Sequence, residues 1–224
     1  CECLVRQTCP SQNKIRESDG GACMAKITVV GIGPGSLDDM TYRAHRTIEE
    51  ATAVVGYSRY IQLIADLVEG KKVLDTGMTQ EIDRCRAALE EAAAGENVVV
   101  ISSGDAGIYG MAGLVLELLM KMDEDQRPEF GGVIPGVSAM SAAAGLLGAP
   151  IMHDFAVISL SDLLTPWELI QERAELAAKG DFVTVLYNPR SHKRVGQIQA
   201  VQEIFLRERA PETPVGIVTS ASRE

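Results

Sequence analysis

The chain has 224 residues, 46% hydrophobic and 23% charged, so it is long enough to bury a substantial core in one large or two small domains. Its formal net charge of −10 argues against a nucleic-acid partner, because proteins that neutralise phosphates normally carry a basic field. No apolar run reaches the about 20 residues that cross a bilayer, so we expect no membrane insertion and a cytoplasmic location.

The first 23 residues differ from the rest of the chain, since they hold four of the five cysteines and show no apolar periodicity. The four are Cys1, Cys3, Cys9 and Cys23. We interpret residues 1–23 as a disordered extension. The alternative is a thiolate metal or iron–sulfur site, because soft thiolate ligands suit such centres. The cysteine spacing matches none of the usual zinc or ferredoxin patterns, so we expect no metal site.

From residue 26 onward, apolar strands alternate with amphipathic helices. The predicted strands are residues 26–31, 53–56, 72–75, 97–102, 130–134, 155–160, 181–187 and 215–219. This alternation predicts an α/β fold in which mostly parallel sheets are flanked by helices. The charged segment 122–129 contains a proline and separates two apolar blocks. We therefore expect two lobes, residues 24–127 and 128–224, with the ligand cleft between them.

Four turns marked by glycine or proline follow predicted strands. They are residues 31–35, 103–110, 135–139 and 187–191. Ligands of open α/β sheets bind beyond the carboxyl ends of the strands. Glycine in such a turn lets the backbone approach a ligand closely and adopt a positive φ. The repetition predicts a ligand that is held mainly by main-chain atoms.

The first of these turns does not fit a dinucleotide site. The G-x-G-x-x-G fingerprint needs a glycine where Ser36 stands, and Pro34 removes a backbone donor from the turn. The P-loop and G-x-S-x-G patterns are absent from the sequence as well. A tight strand-to-helix connection without any ligand remains the alternative for this turn, and a non-catalytic nucleotide-binding α/β module remains one for the chain.

Three motifs in order, Gly-x-Gly-Pro-Gly, Gly-Asp-x-Gly-x-Tyr and Pro-Gly-Val-Ser, resemble the tetrapyrrole methylase family. The resemblance runs from about Ala25 to the end of the chain. Within the family, residues 104–112 and 187–191 look like the branch that methylates a precorrin-3-level tetrapyrrole at carbon 17 and contracts its ring in cobalamin synthesis. Ala106 departs from the proline often found there. A methylase that acts elsewhere on a tetrapyrrole is the alternative within the family.

The resemblance implies a two-lobed homodimer that binds S-adenosylmethionine in the cleft and takes a tetrapyrrole as its substrate. Carried over by position, the cofactor residues are Pro34, Ser103, Gly104, Asp105, Ile108, Tyr109, Ser138, Ala139, Asn188 and Gly216. The family's chain normally continues through further strands, so we expect this one to be incomplete at its C-terminus.

Methyl transfer needs mainly positioning, whereas ring contraction also needs a proton to move. The candidates for acid–base catalysis near strand ends are Asp105, His153 and Asp162, with Asp154 beside His153. Each has a structural alternative as a residue that only hydrogen-bonds or caps a turn.

The substrate's carboxylates require local positive charge in an acidic protein. Arg190, Lys193 and Arg194 supply it after the last proline turn, because guanidinium groups bind carboxylates bidentately. The alternative is a solvated helix start. Arg43 and Arg59 are weaker candidates in the first lobe.

Overall fold

The computed structural model describes residues 25–77, 80–192 and 194–223. Its strands are β1 (Lys26–Gly31), β2 (Ala53–Tyr57), β3 (Lys72–Thr76), β4 (Asn97–Ser102), β5 (Glu129–Ile134), β6 (Phe155–Ser159) and β7 (Val183–Tyr187). Its α-helices are α1 (Tyr42–Glu49), α2 (Ser58–Leu63), α3 (Glu81–Ala93), α4 (Ala112–Met120), α5 (Ala139–Leu146), α6 (Trp167–Lys179) and α7 (Gln197–Glu208).

The first sheet has the strand order β3-β2-β4-β1-β5, and all its pairs are parallel. Residues of β1 and β4 are buried almost throughout, as expected for strands covered by helices on both faces. β1 lies between β4 and β5, where Val29 pairs with Val100 on one side and Val133 on the other. The carboxyl ends of these three strands therefore meet at one edge, called here the carboxyl edge of the first sheet.

The core of this sheet has two halves because successive strand residues point to opposite faces. Val29 and Val100 pack with Cys85 of α3 and Val115 of α4 on one face. On the other face, a second cluster contains residues of α1 together with the alternate strand residues Val30, Val54, Val99 and Ile101. The predicted α/β fold, with parallel sheets flanked by helices, is confirmed.

The lobe boundary lies later than the charge pattern indicates. β5 follows the expected boundary at 127/128, yet it pairs with β1 in the first sheet. The break between the two sheets therefore falls after Ile134. The charged segment 122–129 contains most of the connection from α4 to β5 and the first residue of β5, so it lies within the first lobe. Its polarity marks a surface loop and not a boundary between lobes.

The second lobe contains the two-stranded parallel sheet β6–β7 with α6 and α7 on one face. Ile158 and Leu160 pack there against Ile170 of α6 and Ile204 of α7. Helix α5 connects the two lobes. No helix in the described ranges is long and apolar enough to cross a membrane.

The predicted strand 215–219 is wrong. This segment pairs with no strand among the described residues, and Val215 and Ile217 are 83% and 87% exposed. An apolar run becomes a strand only where a neighbouring edge accepts its hydrogen bonds. Gly216 instead lies against the side chain of Leu147, directly after α5.

Candidate functional site

Two glycine turns are joined directly at the carboxyl edge of the first sheet. The amide of Gly104 donates to the Gly33 carbonyl at 2.7 Å, and the amide of Gly33 donates to the Gly104 carbonyl at 3.1 Å. Both residues have positive φ, +80° at Gly33 and +69° at Gly104. Non-glycine residues adopt this conformation only at a cost, so the pair explains why both turns carry glycine.

The third turn, residues 135–139, comes so close to the others that side chains would not fit between them. A Cβ added to Gly31 would lie 2.7 Å from both the Gly104 carbonyl oxygen and the Gly136 nitrogen. Gly104 also lies against the backbone of Ser138 and Ala139. The structure therefore brings the predicted residues of these three turns together, and main-chain atoms form much of their common surface.

Asp105 braces two of these turns. Its Oδ1 accepts from the amides of Gly107 at 2.8 Å and Ile108 at 3.2 Å, and its Oδ2 accepts from the amide of Gly136 at 3.0 Å. Both carboxylate oxygens are thus occupied by backbone donors. This arrangement favours the structural alternative for Asp105 over a role as a proton carrier.

Tyr109 extends from the same turn to the second lobe. Its backbone is left-handed, with φ +51°, and its hydroxyl donates to the Val157 carbonyl of β6 at 3.1 Å. Its ring centroid lies 5.3 Å from that of Tyr187 at the end of β7. Burial raises the pKa of the Tyr109 phenol, so the hydroxyl remains a donor at neutral pH.

At the carboxyl ends of β6 and β7, Arg194 ties the loop after β7 to the loop after β6. Its Nη1 donates to the Asn188 carbonyl at 3.0 Å and its Nη2 donates to Ser161 Oγ at 3.1 Å. Its Nε lies 3.5 Å from Asp162 Oδ1. Asn188 Nδ2 in turn donates to Ser159 Oγ at 3.0 Å. Arg194 is thus engaged within the protein.

The other substrate candidates are placed differently. Arg190 is exposed on the loop after β7. Lys193 lies outside the described residues, as do Cys1, Cys3, Cys9 and Cys23. Among the predicted basic residues that the structure describes on this loop, Arg190 is therefore the one turned to solvent, while Arg194 is mostly buried.

Two predicted site residues lie apart from the three turns. His153, together with Asp154, precedes β6, whereas Asp162 follows it, and five strand residues span about 16 Å. Gly216 contacts Leu147 beyond the last turn of α5, about 12 Å along the helix axis from Ala139. His153 therefore lies at the opposite end of β6 from Asp162, and Gly216 lies at the opposite end of α5 from Ala139.

Arg223 is a site residue that the sequence reasoning missed. Its Nε donates to the Pro34 carbonyl and its Nη2 donates to Ser103 Oγ, both at 2.7 Å. Its guanidinium carbon also lies 5.9 Å from the centre of the Tyr60 ring. No local motif marks this residue, because its partners lie more than a hundred residues earlier in the chain.

Arg84 is a second omission. It is 4% exposed in the first turn of α3, and it donates to Thr76 Oγ1 at 2.7 Å and to the Gly77 carbonyl at 2.9 Å. No carboxylate of the described residues lies within 4.0 Å of it. Neutral oxygens therefore hold this buried cation beside the ends of β2 and β3. The described residues contain no group of three or more His, Cys, Asp or Glu side chains arranged to bind a metal ion.

Comparison with known proteins gives a family match over almost the whole described chain. The sequence model of the Tetrapyrrole (Corrin/Porphyrin) Methylases matches residues 26–224. Cobalt-factor III methyltransferase of Priestia megaterium is 50% identical over 202 residues, which are 89% of this chain and 37% of that protein. Probable cobalt-factor III C(17)-methyltransferase of Salmonella typhimurium is 51% identical over 198 residues, which are 88% of this chain and 81% of that protein.

Two solved structures share the fold. The crystal structure of the methyltransferase CobJ matches with a TM-score of 0.77 and 44% identity, over 83% of this chain and 77% of that one. The X-ray structure of the cobalt precorrin-4 methyltransferase CbiF matches with a TM-score of 0.65 and 23% identity, over 82% of this chain and 75% of that one. The second likeness concerns the fold alone.

Proposed function

Because the chain belongs to the tetrapyrrole (corrin/porphyrin) methylase family, we propose that it methylates carbon 17 of a cobalt-factor III or precorrin-3-level tetrapyrrole. The methylation is coupled to ring contraction and serves cobalamin synthesis. The observation that carries this proposal is the identity of 50% and 51% to two proteins named for cobalt-factor III methylation. The experiment below therefore compares a methyl acceptor that contains cobalt with one that does not.

S-adenosylmethionine fits the residues at the carboxyl edge of the first sheet. When bound, this cofactor supplies an electrophilic methyl group. Pro34, Gly104 and Ala139 would line its site where the three turns meet, because an added Cβ at Gly31 would collide with backbone atoms and the junction therefore carries no side chain there. Ser103, Ile108 and Tyr109 come from the same edge, and Ser138 starts α5 beside it. Asn188 approaches from the second lobe.

The chain's contribution to methyl transfer is positioning. Holding donor and acceptor in line lowers the barrier by about 7 to 11 kcal/mol in favourable cases. Asp105 serves this purpose by fixing the turns at 103–110 and 135–139 to each other. Arg190, exposed after β7, is the residue that we assign to a substrate carboxylate.

The proton that leaves during ring contraction needs an acceptor. We retain Asp162 as the candidate, because it lies at the carboxyl end of the second sheet and its side chain is 41% exposed, with Oδ1 in only a long contact of 3.5 Å with Arg194 Nε. Gln197 Nε2 donates to its Oδ2 at 3.1 Å and orients the carboxylate. His153, at the other end of β6, is the weaker candidate.

A homodimer in the cytoplasm completes the proposal. Leu163 and Leu164, in the loop after β6, are 79% and 94% exposed. Adjacent exposed apolar side chains of this kind are typical of a contact surface, so they support a second copy as the partner.

The direct test incubates the protein with S-adenosylmethionine and either cobalt-factor III or its cobalt-free counterpart. We expect a product that is one methyl group heavier and has the absorption spectrum of a contracted ring. Methylation without contraction would instead support a methylase that acts at another position. Tight binding of NAD without binding of S-adenosylhomocysteine would contradict the proposal and support a nucleotide-binding module.

A substitution at Asp105 tests the assigned cofactor site. Asp105→Ala leaves the amides of Gly107 and Gly136 without their acceptor, so we expect the Kd for S-adenosylhomocysteine in calorimetry to rise about tenfold, as for loss of about 1.4 kcal/mol. Asp83→Ala is the control, because Asp83 is 73% exposed on α3 and its one ion pair within the described part of the chain is a long contact of 3.9 Å with Arg86. Equal affinity in the two variants would count against the site.

A further inference from the structure

Two tyrosines connect the two lobes across the proposed cleft. Tyr109 belongs to the turn after β4, and its hydroxyl donates to the Val157 carbonyl of β6 at 3.1 Å. Its ring meets that of Tyr187 with centroids 5.3 Å apart and planes inclined at 52°, within the range of favourable aromatic pairs. Tyr109 and Tyr187 are called here the interlobe tyrosine pair.

The second member of the pair returns the connection to the start of α5. The Met140 amide donates to the Tyr187 hydroxyl at 2.9 Å. Met140 follows the turn 135–139, which Asp105 holds through Gly136. Asp105 is itself in the turn that carries Tyr109. The contacts therefore form a closed circuit through the turns 103–110 and 135–139 and the strands β6 and β7 of the second lobe.

The turn carries a large side chain at Tyr109 although the backbone there disfavours one. Its φ of +51° is unfavourable for a bulky residue and is adopted readily only by glycine. Glycine stands at positions 107 and 110 of the same turn, but not at 109. The left-handed conformation directs the ring out of the turn toward β6 and β7.

We propose that Tyr109 is a positioning residue that holds the second lobe against the turn 103–110 and so sets the width of the cleft around the S-adenosyl ligand. This inference rests on the proposed function for the identity of that ligand. The contact between the lobes exists without it, so the two can be tested separately.

The experiment compares Tyr109→Phe with Tyr42→Phe. The first keeps the ring but removes the hydrogen bond to Val157, and the second removes the hydroxyl of a side chain that is 97% exposed. Hydrogen exchange of the ligand-free protein should be about three- to tenfold faster over residues 155–159 in Tyr109→Phe alone. Calorimetry should show a similar increase in its Kd for S-adenosylhomocysteine.

Kinetics separates positioning from general damage. We expect Tyr109→Phe to raise the KM for S-adenosylmethionine about three- to tenfold while kcat at saturation changes less than about twofold, because the ligand's binding energy then closes the lobes. Tyr109→Leu, which also removes the ring contact with Tyr187, should raise KM further. If Tyr109→Leu does not fold, the KM and kcat of Tyr109→Phe still test the positioning role.

Three results would overturn the inference. One is exchange over residues 155–159 that is the same in both Phe variants. Another is weaker ligand binding without any change in exchange, because the hydroxyl would then contact the ligand rather than β6. The third is a fall in kcat with an unchanged KM. If the wild-type protein binds no S-adenosylhomocysteine, the proposed function fails while the exchange comparison still decides whether Tyr109 holds the lobes.

Discussion

The thiol of Cys85 shows how burial alone controls one residue's chemistry. It is fully buried in the first-lobe core, and this burial raises its pKa from 9.0 to about 11, with Arg84 opposing the change and Glu81 adding to it. The folded state therefore retains the proton more strongly than the unfolded chain does. We expect a structural thiol that is unreactive at neutral pH.

This pKa predicts how stability depends on alkaline pH. The contribution of Cys85 is fully present below about pH 9 and is lost as pH rises through about 11. The rise of the pKa from 9.0 to about 11 corresponds to about 2 to 3 kcal/mol of unfolding free energy. Urea unfolding of the wild type and of Cys85→Ala over this range should give free energies whose difference narrows as pH rises. A constant difference would contradict the prediction.

Several residues explain why the site was only partly predictable. The glycines of turns 31–35 and 103–110 have a local signature, because positive φ and close approach permit little else. Asp105 was found, but its brace to Gly136 depends on two turns 31 residues apart. Arg223 was not found, since its partners Pro34 and Ser103 lie more than a hundred residues away in sequence. Arg84 was not found either, because its partners Thr76 and Gly77 are neutral groups that form no recognisable motif with an arginine.

At the scale of elements, the apolar runs predicted eight strands in mostly parallel sheets, and seven of these strands are present. Buried parallel strands are continuously apolar, so β1, β2 and β4 are readily recognised. The same criterion, a continuous apolar run, gave a wrong prediction at 215–219, because hydrophobicity does not reveal whether a neighbouring strand edge is available. The charged segment 122–129 likewise placed the lobe boundary too early, since the sheet to which β5 belongs depends on its pairing with β1.

The contact between the ends of β1, β4 and β5 gives a prediction for Gly31. Gly31→Ala places a Cβ 2.7 Å from the Gly104 carbonyl, so unfolding experiments should show a loss of about 1 to 3 kcal/mol. Gly113→Ala is the matched control in α4, where an added Cβ meets nothing within 4 Å. We expect it to stabilise the protein by about 0.5 to 1 kcal/mol. Similar losses in both variants would argue against this packing.

For the whole molecule, a net charge of −10 opposes the approach of a substrate that carries carboxylates. The motif-based assignment to the tetrapyrrole methylase family is confirmed by the family match, and it makes this opposition relevant to the proposed reaction. Arg190, exposed beyond β7, acts only at short range, whereas the net charge acts over the Debye length, about 30 Å at 0.01 M and 8 Å at 0.15 M salt.

Raising ionic strength from about 0.01 to 0.15 M should therefore increase kcat/KM for the tetrapyrrole about two- to fivefold, because salt screens the repulsion. Steady-state rates at limiting substrate measure this effect. Arg190→Ala should lower kcat/KM at every salt concentration without reversing the trend. A decrease with salt in the wild type would show that local positive charge dominates the approach.

The position of β1 between β4 and β5 has a consequence for synthesis on the ribosome. β1 ends at Gly31, but β5, which pairs with one of its two edges, ends only at Ile134. At about 5 to 20 residues per second, translation of the intervening hundred residues takes about 5 to 20 seconds. Throughout that interval the nascent chain exposes an apolar strand edge, so chaperone capture during translation is most valuable before residue 134 emerges.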